Sequence, residues 1–277
     1  MDIDTFIRLA LEEDLGDGDH SSLSTIPETK MGAAQLLVKQ EGILAGVEVA
    51  GKVFKAVDPD TTLEIFIDDG KAIKPGDIVF KVSGKSVSLL SAERLALNFM
   101  QRMSGIATYT HYLTSMLGGL HTRLLDTRKT TPNFRYFEKE AVRIGGGVNH
   151  RMGLYDMIMI KDNHVDFAGG ISNAIKATNK YLLEQGRKLK IEIEVRNLKE
   201  LREVMECRGV DRIMFDNFSI SDMKTAVEMV AGKYETEASG GITEESLREV
   251  AETGVDFISV GALTHQVRSL DLSLKAI

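Results

Sequence analysis

The chain has 277 residues, of which 43% are hydrophobic and 27% charged, and its formal net charge is −7. This composition is typical of a globular protein with one large or two ordinary domains, and no apolar run approaches the roughly 20 residues of a membrane span. The negative charge disfavours a nucleic-acid binder, and the single cysteine, Cys207, excludes an internal disulfide and a thiolate metal cluster.

The first part of the chain, residues 1–110, mixes helical and strand-like patterns. Two of its first four residues, Asp2 and Asp4, are acidic where a signal peptide would be basic, which predicts a cytoplasmic protein. Strands with few helices between them predict a small antiparallel sheet with helices on one side. The predicted helices are 3–11 and 87–104, and the predicted strands are 35–39, 63–67 and 78–82.

From His121 onward, strands and helices alternate. Strand after helix after strand demands parallel pairing with right-handed crossovers. Six strands are too few for an eight-stranded barrel, so we predict an incomplete, open α/β barrel over residues 111–265, followed by a short terminal helix or tail over 270–277. The predicted strands are 123–125, 157–160, 191–195, 213–215, 234–238 and 257–260, and the helices are 134–144, 172–183, 198–206, 220–230 and 244–252.

Two basic loops are expected at the barrel mouth, because the C-terminal ends of barrel strands converge there. Arg128 and Lys129 follow the first strand, and arginine matches carboxylates or phosphates while lysine supplies a compact charge. Three glycines, 145–147, precede His150 and Arg151 in the second loop, and we expect them to let the backbone pass close to a ligand. The alternative is a solvated basic loop.

Charged residues at three further strands are predicted to join this mouth. Lys161 ends the most apolar strand, although a lysine at the barrel rim would look the same. Glu192 and Glu194 alternate with apolar residues and are expected to face the lumen, with Lys161 and Arg128 as their cations. Asp216 ends the next strand at the equivalent position.

The last two strands are followed by glycine turns, 239–241 and 261–262. Barrels often bind a phosphate through backbone N–H groups in these two loops, although two tight turns without a ligand are the alternative. Positive charges at the mouth outnumber negative ones, which predicts a small substrate with several negative charges and at least one phosphate. The cations are Arg128, Lys129, Arg151 and Lys161, and the anions are Glu194 and Asp216.

These motifs together resemble the quinolinate phosphoribosyltransferase family, the carboxylating nicotinate-nucleotide pyrophosphorylases. The resemblance implies an N-terminal α/β sandwich domain (1–110), an open α/β barrel (111–265) and a C-terminal tail (266–277) packing on the N-terminal domain. It also implies a homodimer in which one subunit's N-terminal domain caps the other's barrel mouth, and leaves open whether dimers form hexamers. The segments that carry it are 93–108, 126–132, 145–155, 160–164, 192–195, 215–217, 238–242 and 260–265.

The resemblance also implies roles for individual residues. The binders of the quinolinate carboxylates are Arg128, His150, Arg151 and Lys161, with Arg102 from the neighbouring subunit. On the phosphoribosyl pyrophosphate side are Lys129 and two acids near the ribose hydroxyls and Mg²⁺, Glu194 and Asp216. The loops that hold the 5′-phosphate contain Ser239, Gly240, Gly241, Gly261 and Ala262.

The implied reaction converts quinolinate and phosphoribosyl pyrophosphate into nicotinate mononucleotide, pyrophosphate and CO₂, in NAD biosynthesis. We expect pyrophosphate to leave with the help of Mg²⁺ and Lys129, and Glu194 and Asp216 to stabilise the cation-like sugar. The pyridine nitrogen, positioned by the arginines, then captures the sugar carbon. Lys161 orients the C2 carboxylate that is lost.

Other interpretations stay open at this point. Residues 71–84 resemble the hairpin of a lipoyl or biotinyl carrier, although the characteristic setting of the modified lysine is missing. A phosphate-binding barrel decarboxylase acting directly on a nucleotide would suit the same mouth, but it would release no pyrophosphate. A related protein linked to molybdenum transport shares the fold and differs in the basic loop.

Overall fold

The computed structural model describes residues 2–277, which form two compact units. Unit 1 contains the chain up to His111, Tyr136–Gly146 and Gln266–Ile277, and unit 2 contains Tyr112–Arg135 and Gly147–His265. Across residues 2–277, no helix has the length and apolar character needed to cross a membrane.

The elements follow one another in two different rhythms. The first stretch of the chain carries α1 (Ile3–Leu15), α2 (His20–Thr25), β1 (Met31–Val38), β2 (Gly42–Ile43), α3 (Val47–Val57), β3 (Thr62–Ile65), β4 (Ala72–Ile73), β5 (Ile78–Lys85) and α4 (Ser86–Met116). The remainder carries β6 (Arg123–Leu125), α5 (Arg135–Ile144), β7 (Ile158–Ile160), α6 (Asp162–Ala168), α7 (Ile171–Glu184), β8 (Ile191–Val195), α8 (Leu198–Cys207), β9 (Arg212–Asp216), α9 (Ile220–Val230), β10 (Glu235–Ser239), α10 (Glu244–Ala251), β11 (Phe257–Ser259), α11 (Ala262–His265) and β12 (Leu272–Ala276).

Unit 1 is built on a four-stranded antiparallel sheet in the order β12-β1-β5-β3. Every second residue at the end of β1 is buried, including Leu36 and Val38, so one face of the sheet belongs to the core. The amphipathic helix α3 adds Phe54, whose ring meets that of Phe80 edge to face at 6.1 Å. The predicted antiparallel sheet with helices is confirmed.

Residues 270–277 were predicted to form a short helix or a tail, and the helix is wrong, because residues 272–276 form the strand β12. Leu272 lies opposite Val38 and Leu274 opposite Leu36 in antiparallel register with β1. Both leucines are buried, which is the period-two pattern of a strand with one buried face.

Helix α5 belongs to unit 1, although the expected second domain began at residue 111 and included it. The reason is apolar packing: the Phe137 ring lies 5.1 Å from that of Phe6 and 4.8 Å from that of Phe99. Gly145, just after this helix, approaches α4 so closely that a Cβ would lie 2.4 Å from the Ala107 carbonyl oxygen. Close helix packing, rather than the predicted approach to a ligand, therefore explains this glycine.

Unit 2 contains a six-stranded parallel sheet in the order β6-β11-β10-β9-β8-β7. Its strands lie within one or two residues of the predicted ones, and the fold is an open α/β barrel as predicted. The two edge strands, β6 and β7, do not pair. Instead Val148 makes a parallel bridge to Leu125 and continues the β6 edge.

Candidate active site

The two basic loops are joined by one buried carboxylate, that of Asp126. Asp126 is fully buried and accepts hydrogen bonds from the His150 backbone N–H at 2.8 Å and from the Asn149 side-chain amide at 2.6 Å. Val148 donates its backbone N–H to the Leu124 carbonyl at 2.8 Å. The segment that carries His150 and Arg151 is therefore held beside the end of β6.

Arg128 and Arg151 face the same region. Burial lowers the pKa of the Arg151 guanidinium, and the positive charge of Arg128 lowers it further. Arg151 is half-buried and donates from Nη1 to the Met157 carbonyl at 3.2 Å, so its side chain reaches toward the β7 edge. A guanidinium whose charge is disfavoured by a second one nearby forms a site for an anion.

Lys161 and Glu194 form an ion pair at the ends of β7 and β8. The Lys161 Nζ lies 2.9 Å from Glu194 Oε2, and the Glu194 side chain is only 9% exposed while that of Lys161 is 47% exposed. This pairing confirms Lys161 as the expected cation for Glu194. The Lys161 backbone N–H donates to His164 Nδ1 at 2.9 Å, which ties the lysine to the start of α6.

Asp216 ends β9 beside a residue that sequence reasoning left without a role, Asn217. The Asn217 amide donates to Asp216 Oδ2 at 3.0 Å, and its backbone N–H donates to the Ser239 carbonyl at 2.9 Å. Gly240 has φ +96°, and a Cβ there would lie 2.3 Å from Asn217 Oδ1. Glycine is required at this turn by both the backbone conformation and the close amide.

Lys129 lies next to the second glycine turn. A Cβ on Gly261 would be 3.1 Å from Lys129 Cδ, and the Thr264 hydroxyl donates to the Lys129 carbonyl at 2.7 Å. Because β10 and β11 are parallel neighbours, the turns at 239–241 and 261–262 lie at the same end of the sheet. The structure thus brings Lys129 to the predicted phosphate loops.

His150 is turned into the barrel rather than toward solvent. Its side chain is 5% exposed, and its Nε2 lies 2.9 Å from Glu192 Oε2 and 3.5 Å from Glu237 Oε2. The Arg212 Nη1 contacts Glu237 Oε2 at 3.0 Å. We call these four residues, His150, Glu192, Arg212 and Glu237, the interior quartet.

The interior quartet changes two expectations about the site. Lys161 and Arg128 were expected as the cations of the two glutamates. Lys161 pairs with Glu194, whereas the neighbour of Glu192 is His150 rather than Arg128. The proposed contact between His150 and quinolinate stays a prediction, since both ring nitrogens already have protein neighbours. Sequence reasoning also missed Glu237, although it alternates with Thr236 and Ala238 as Glu192 alternates with isoleucines.

Arg102 belongs to unit 1, as do the residues that it contacts. Its guanidinium donates to the fully buried Glu138 carboxylate at 2.9 Å and to the Val267 carbonyl at 2.9 Å. Its side chain remains 24% exposed. These contacts fix the direction of a cation that still reaches the surface of the unit.

Comparison with known proteins identifies the family. Residues 19–104 match the family model described as quinolinate phosphoribosyl transferase, N-terminal domain, and residues 106–275 match that of its C-terminal domain. The chain belongs to the quinolinate phosphoribosyltransferase family. The predicted resemblance is confirmed, and the N-terminal match covers the hairpin on which the carrier interpretation depended.

Related proteins of this family match the chain along nearly its whole length. The chloroplastic nicotinate-nucleotide pyrophosphorylase [carboxylating] of Oryza sativa subsp. japonica is 44% identical over 290 residues, covering 99% of this chain and 77% of the relative. A probable nicotinate-nucleotide pyrophosphorylase [carboxylating] of Bacillus subtilis is 42% identical, covering 95% and 89%. The crystal structure of NadC from Streptococcus pyogenes has a TM-score of 0.93 at 38% identity, covering 99% and 97%.

Two sets of side chains in this family member could hold a metal ion. The ligand atoms of His150, Glu192 and Glu237 lie within 4.8 Å of one another, but the Arg212 guanidinium already contacts Glu237, so we assign no metal there. Glu194 and Asp216 offer carboxylate oxygens at neighbouring strand ends, beside the mouth. Oxygen ligands of this kind, completed by substrate phosphates, suit Mg²⁺.

The interior quartet should make the stability of the protein depend on pH. Burial and the charge of Glu237 raise the pKa of Glu192 to about 7. Between about pH 5 and 7 the folded protein therefore binds more protons than the unfolded chain. The free energy of unfolding should fall as pH rises through this window, on the order of 1 kcal/mol per pH unit.

Urea unfolding at about pH 5, 6 and 7 measures this slope. Glu192→Gln removes the carboxyl group whose pKa is raised, so the slope should become flatter in that variant. A free energy of unfolding that is constant or rises with pH in the unaltered protein would contradict the prediction.

Proposed function

We propose that this chain transfers the phosphoribosyl group of phosphoribosyl pyrophosphate to quinolinate and releases pyrophosphate and CO₂, producing nicotinate mononucleotide for NAD biosynthesis. The observation that carries the proposal is the approach of Arg128 to the half-buried Arg151, at the same barrel mouth as the Lys161–Glu194 pair. A dicarboxylate is the small ligand that best relieves this concentration of positive charge. Relatives named for this reaction are 44% identical over 99% of the chain.

The quinolinate end of the site is formed by Arg128, Arg151 and Lys161. Guanidinium groups bind carboxylates through paired N–H donors, and Arg151 is held in place through the Met157 carbonyl. His150 contributes at this end either by direct contact or by shaping the segment that bears Arg151.

The phosphoribosyl end is formed by Lys129 and the two glycine turns. Backbone N–H groups in such turns bind a 5′-phosphate, and glycine keeps them free of side chains. The contact between Lys129 and Gly261 supports a position of the lysine over this end. Lys129 then stabilises negative charge as pyrophosphate leaves.

The chemical step depends on charge and position rather than on an enzyme nucleophile. As the bond between ribose C1 and pyrophosphate breaks, positive charge develops on the sugar, and the Glu194 and Asp216 carboxylates stabilise it. The pyridine nitrogen then bonds to C1, and its new positive charge accepts the electron pair that the C2 carboxylate leaves behind as CO₂. Lys161, fixed by Glu194, orients that carboxylate.

We also propose Mg²⁺, bound with phosphoribosyl pyrophosphate, as the metal of the reaction. Glu194 and Asp216 would hold it directly or through water, and their oxygen ligands fit its preference. When bound, it neutralises charge on the departing pyrophosphate.

The proposal includes a homodimer with shared active sites and a cytoplasmic location. The dimer is supported by Arg102, a partly exposed cation whose direction is fixed by Glu138. The family resemblance implies that this arginine enters the active site of the neighbouring subunit. An arginine that binds substrate in another subunit's site must be exposed and held in one direction. Further assembly into hexamers stays open.

A product assay tests the function directly. Purified protein with quinolinate, phosphoribosyl pyrophosphate and Mg²⁺ should release equal amounts of pyrophosphate and CO₂ and form nicotinate mononucleotide. Nicotinate in place of quinolinate should give much less pyrophosphate, because it lacks the second carboxylate. Release of CO₂ without pyrophosphate, from a nucleotide supplied alone, would instead favour the barrel decarboxylase.

A further inference from the structure

The interior quartet lies directly behind the segment that carries Arg151, and the proposed chemistry gives no role to Glu192, Arg212 or Glu237. Glu192 and Glu237 are completely buried, and Arg212 is 8% exposed. Arg212 is itself held firmly, because its guanidinium lies 4.1 Å from the centre of the Phe257 ring and also contacts Glu235 at 3.0 Å. Buried ionic groups are costly unless their geometry is well satisfied, so their presence here calls for a reason.

The contact between His150 and the next backbone amide fixes the tautomer of the ring. The Arg151 backbone N–H lies 2.6 Å from His150 Nδ1, and a backbone N–H can only donate. Nδ1 must therefore present its lone pair, which leaves the ring proton on Nε2. The carboxylate oxygens nearest to Nε2 are Glu192 Oε2, 2.9 Å away, and Glu237 Oε2, at 3.5 Å.

The orientation of the ring in turn determines the path of the backbone. His150 is held through its own N–H by Asp126 at 2.8 Å, while its ring accepts the N–H of Arg151. The peptide between His150 and Arg151 is thus fixed from both sides. Beyond it, the Arg151 guanidinium donates to the Met157 carbonyl. If the ring turned, Arg151 would lose one of the contacts that aim it.

We propose that Glu192 and Glu237 are positioning residues for the reaction: through their close contacts with Nε2 of His150, they hold the ring that fixes the Arg151 backbone and keep its guanidinium near Arg128. The predicted effect on quinolinate binding rests on the proposed function. The predicted tautomer of His150 rests on the geometry alone. The arrangement matches metal sites in which outer carboxylates orient a histidine ring, with an arginine in place of the metal.

Substitutions of Glu192 separate positioning from a merely structural role. Glu192→Leu removes the acceptor at similar volume and should raise KM for quinolinate about tenfold with KM for phosphoribosyl pyrophosphate unchanged. Glu192→Gln keeps an acceptor oxygen and should recover most of that loss. Glu235→Gln is the matched control, because Glu235 also contacts Arg212 but lies away from His150, and both constants should stay within about twofold.

The tautomer is measured independently of activity. In protein labelled with ¹⁵N-histidine, the ring nitrogens of His150 should report a proton on Nε2 and a lone pair on Nδ1, and Glu192→Leu should change that pattern. Should Glu192→Leu fold poorly, Glu237→Leu provides the same readout, with a smaller rise in KM for quinolinate, because Glu237 lies farther from Nε2. A proton on Nδ1 in the unaltered protein would overturn the inference. Equal rises in both KM values of Glu192→Leu would also overturn the inference and leave the proposed function intact. If the unaltered protein did not turn over quinolinate, only the proposed function would be overturned.

Discussion

Replacing Lys161 with alanine is expected to lower turnover about a hundred- to a thousandfold while changing KM for quinolinate far less. Lys161 directly follows β7 and contacts Glu194 at 2.9 Å. Arg128 and Arg151 supply most of the charge that binds the ground-state dicarboxylate, so binding should survive the loss of one lysine. The C2 carboxylate would lose the group that orients it during decarboxylation, and Glu194 would lose the cation that fixes it.

Lys190→Ala is the matched control for this experiment. Lys190 pairs with Glu235 at 3.2 Å, beside the first residues of β9 and β10 and therefore away from the mouth. Lys190 and Glu235 are both exposed, so Lys190→Ala should change the free energy of unfolding by only a few tenths of a kcal/mol. Lys161→Ala should cost more, because it leaves the largely buried Glu194 without its cation. Steady-state kinetics with both substrates varied gives kcat and each KM. Turnover by the Lys161 variant at the rate of the unaltered protein would show that its proposed role is wrong.

Replacing Arg102 with alanine is expected to abolish most activity, and mixing two inactive subunits should restore part of it. In a shared site, an Arg102→Ala subunit retains its barrel and a Lys161→Ala subunit retains its arginine. Each mixed dimer then has one active site that contains both Lys161 and Arg102. Random pairing of equal amounts makes half of the dimers mixed, so about a quarter of the full activity should return.

The substitution also alters unit 1, and this needs its own control. Glu138 is fully buried and contacts the Arg102 guanidinium, so removing the arginine takes a cation from a buried carboxylate, which costs several kcal/mol. The double variant Arg102→Ala, Glu138→Gln removes that charge. Its melting temperature should exceed that of Arg102→Ala, and it should give the same recovery in mixed dimers purified by two different tags. Mixed dimers without any activity would exclude the shared site.

The barrel mouth could be predicted because the C-terminal ends of parallel strands lie together, so residues that follow different strands meet at one end of the sheet. Each short apolar run ends in a charged residue or glycine, and all six ends lie on one side of the sheet. The pairing of Lys161 with Glu194 followed from this rule. The sequence also indicated that Glu192 and Glu194 face inward, since they alternate with isoleucines in β8.

Contacts between distant elements could not be predicted in the same way. The interior quartet joins β8, β9, β10 and the loop after α5, so no local pattern reveals that His150 rather than Arg128 meets Glu192. The strand β12 has only five residues, too few to distinguish its alternation from a terminal turn of helix. Gly145 looked like part of a ligand loop, because its real neighbour, the Ala107 carbonyl, comes from a helix 38 residues earlier.

The positive charges of Arg128 and Arg151, which lie near each other, have a consequence for the end of the proposed catalytic cycle. In the proposed reaction, quinolinate enters with two negative charges, whereas the nicotinate ring of the product carries one carboxylate and a positive nitrogen. The two guanidinium groups thus regain their mutual repulsion once CO₂ has gone. The same pair that captures the substrate holds the product weakly, which favours departure of the nucleotide and readies the enzyme for another turnover.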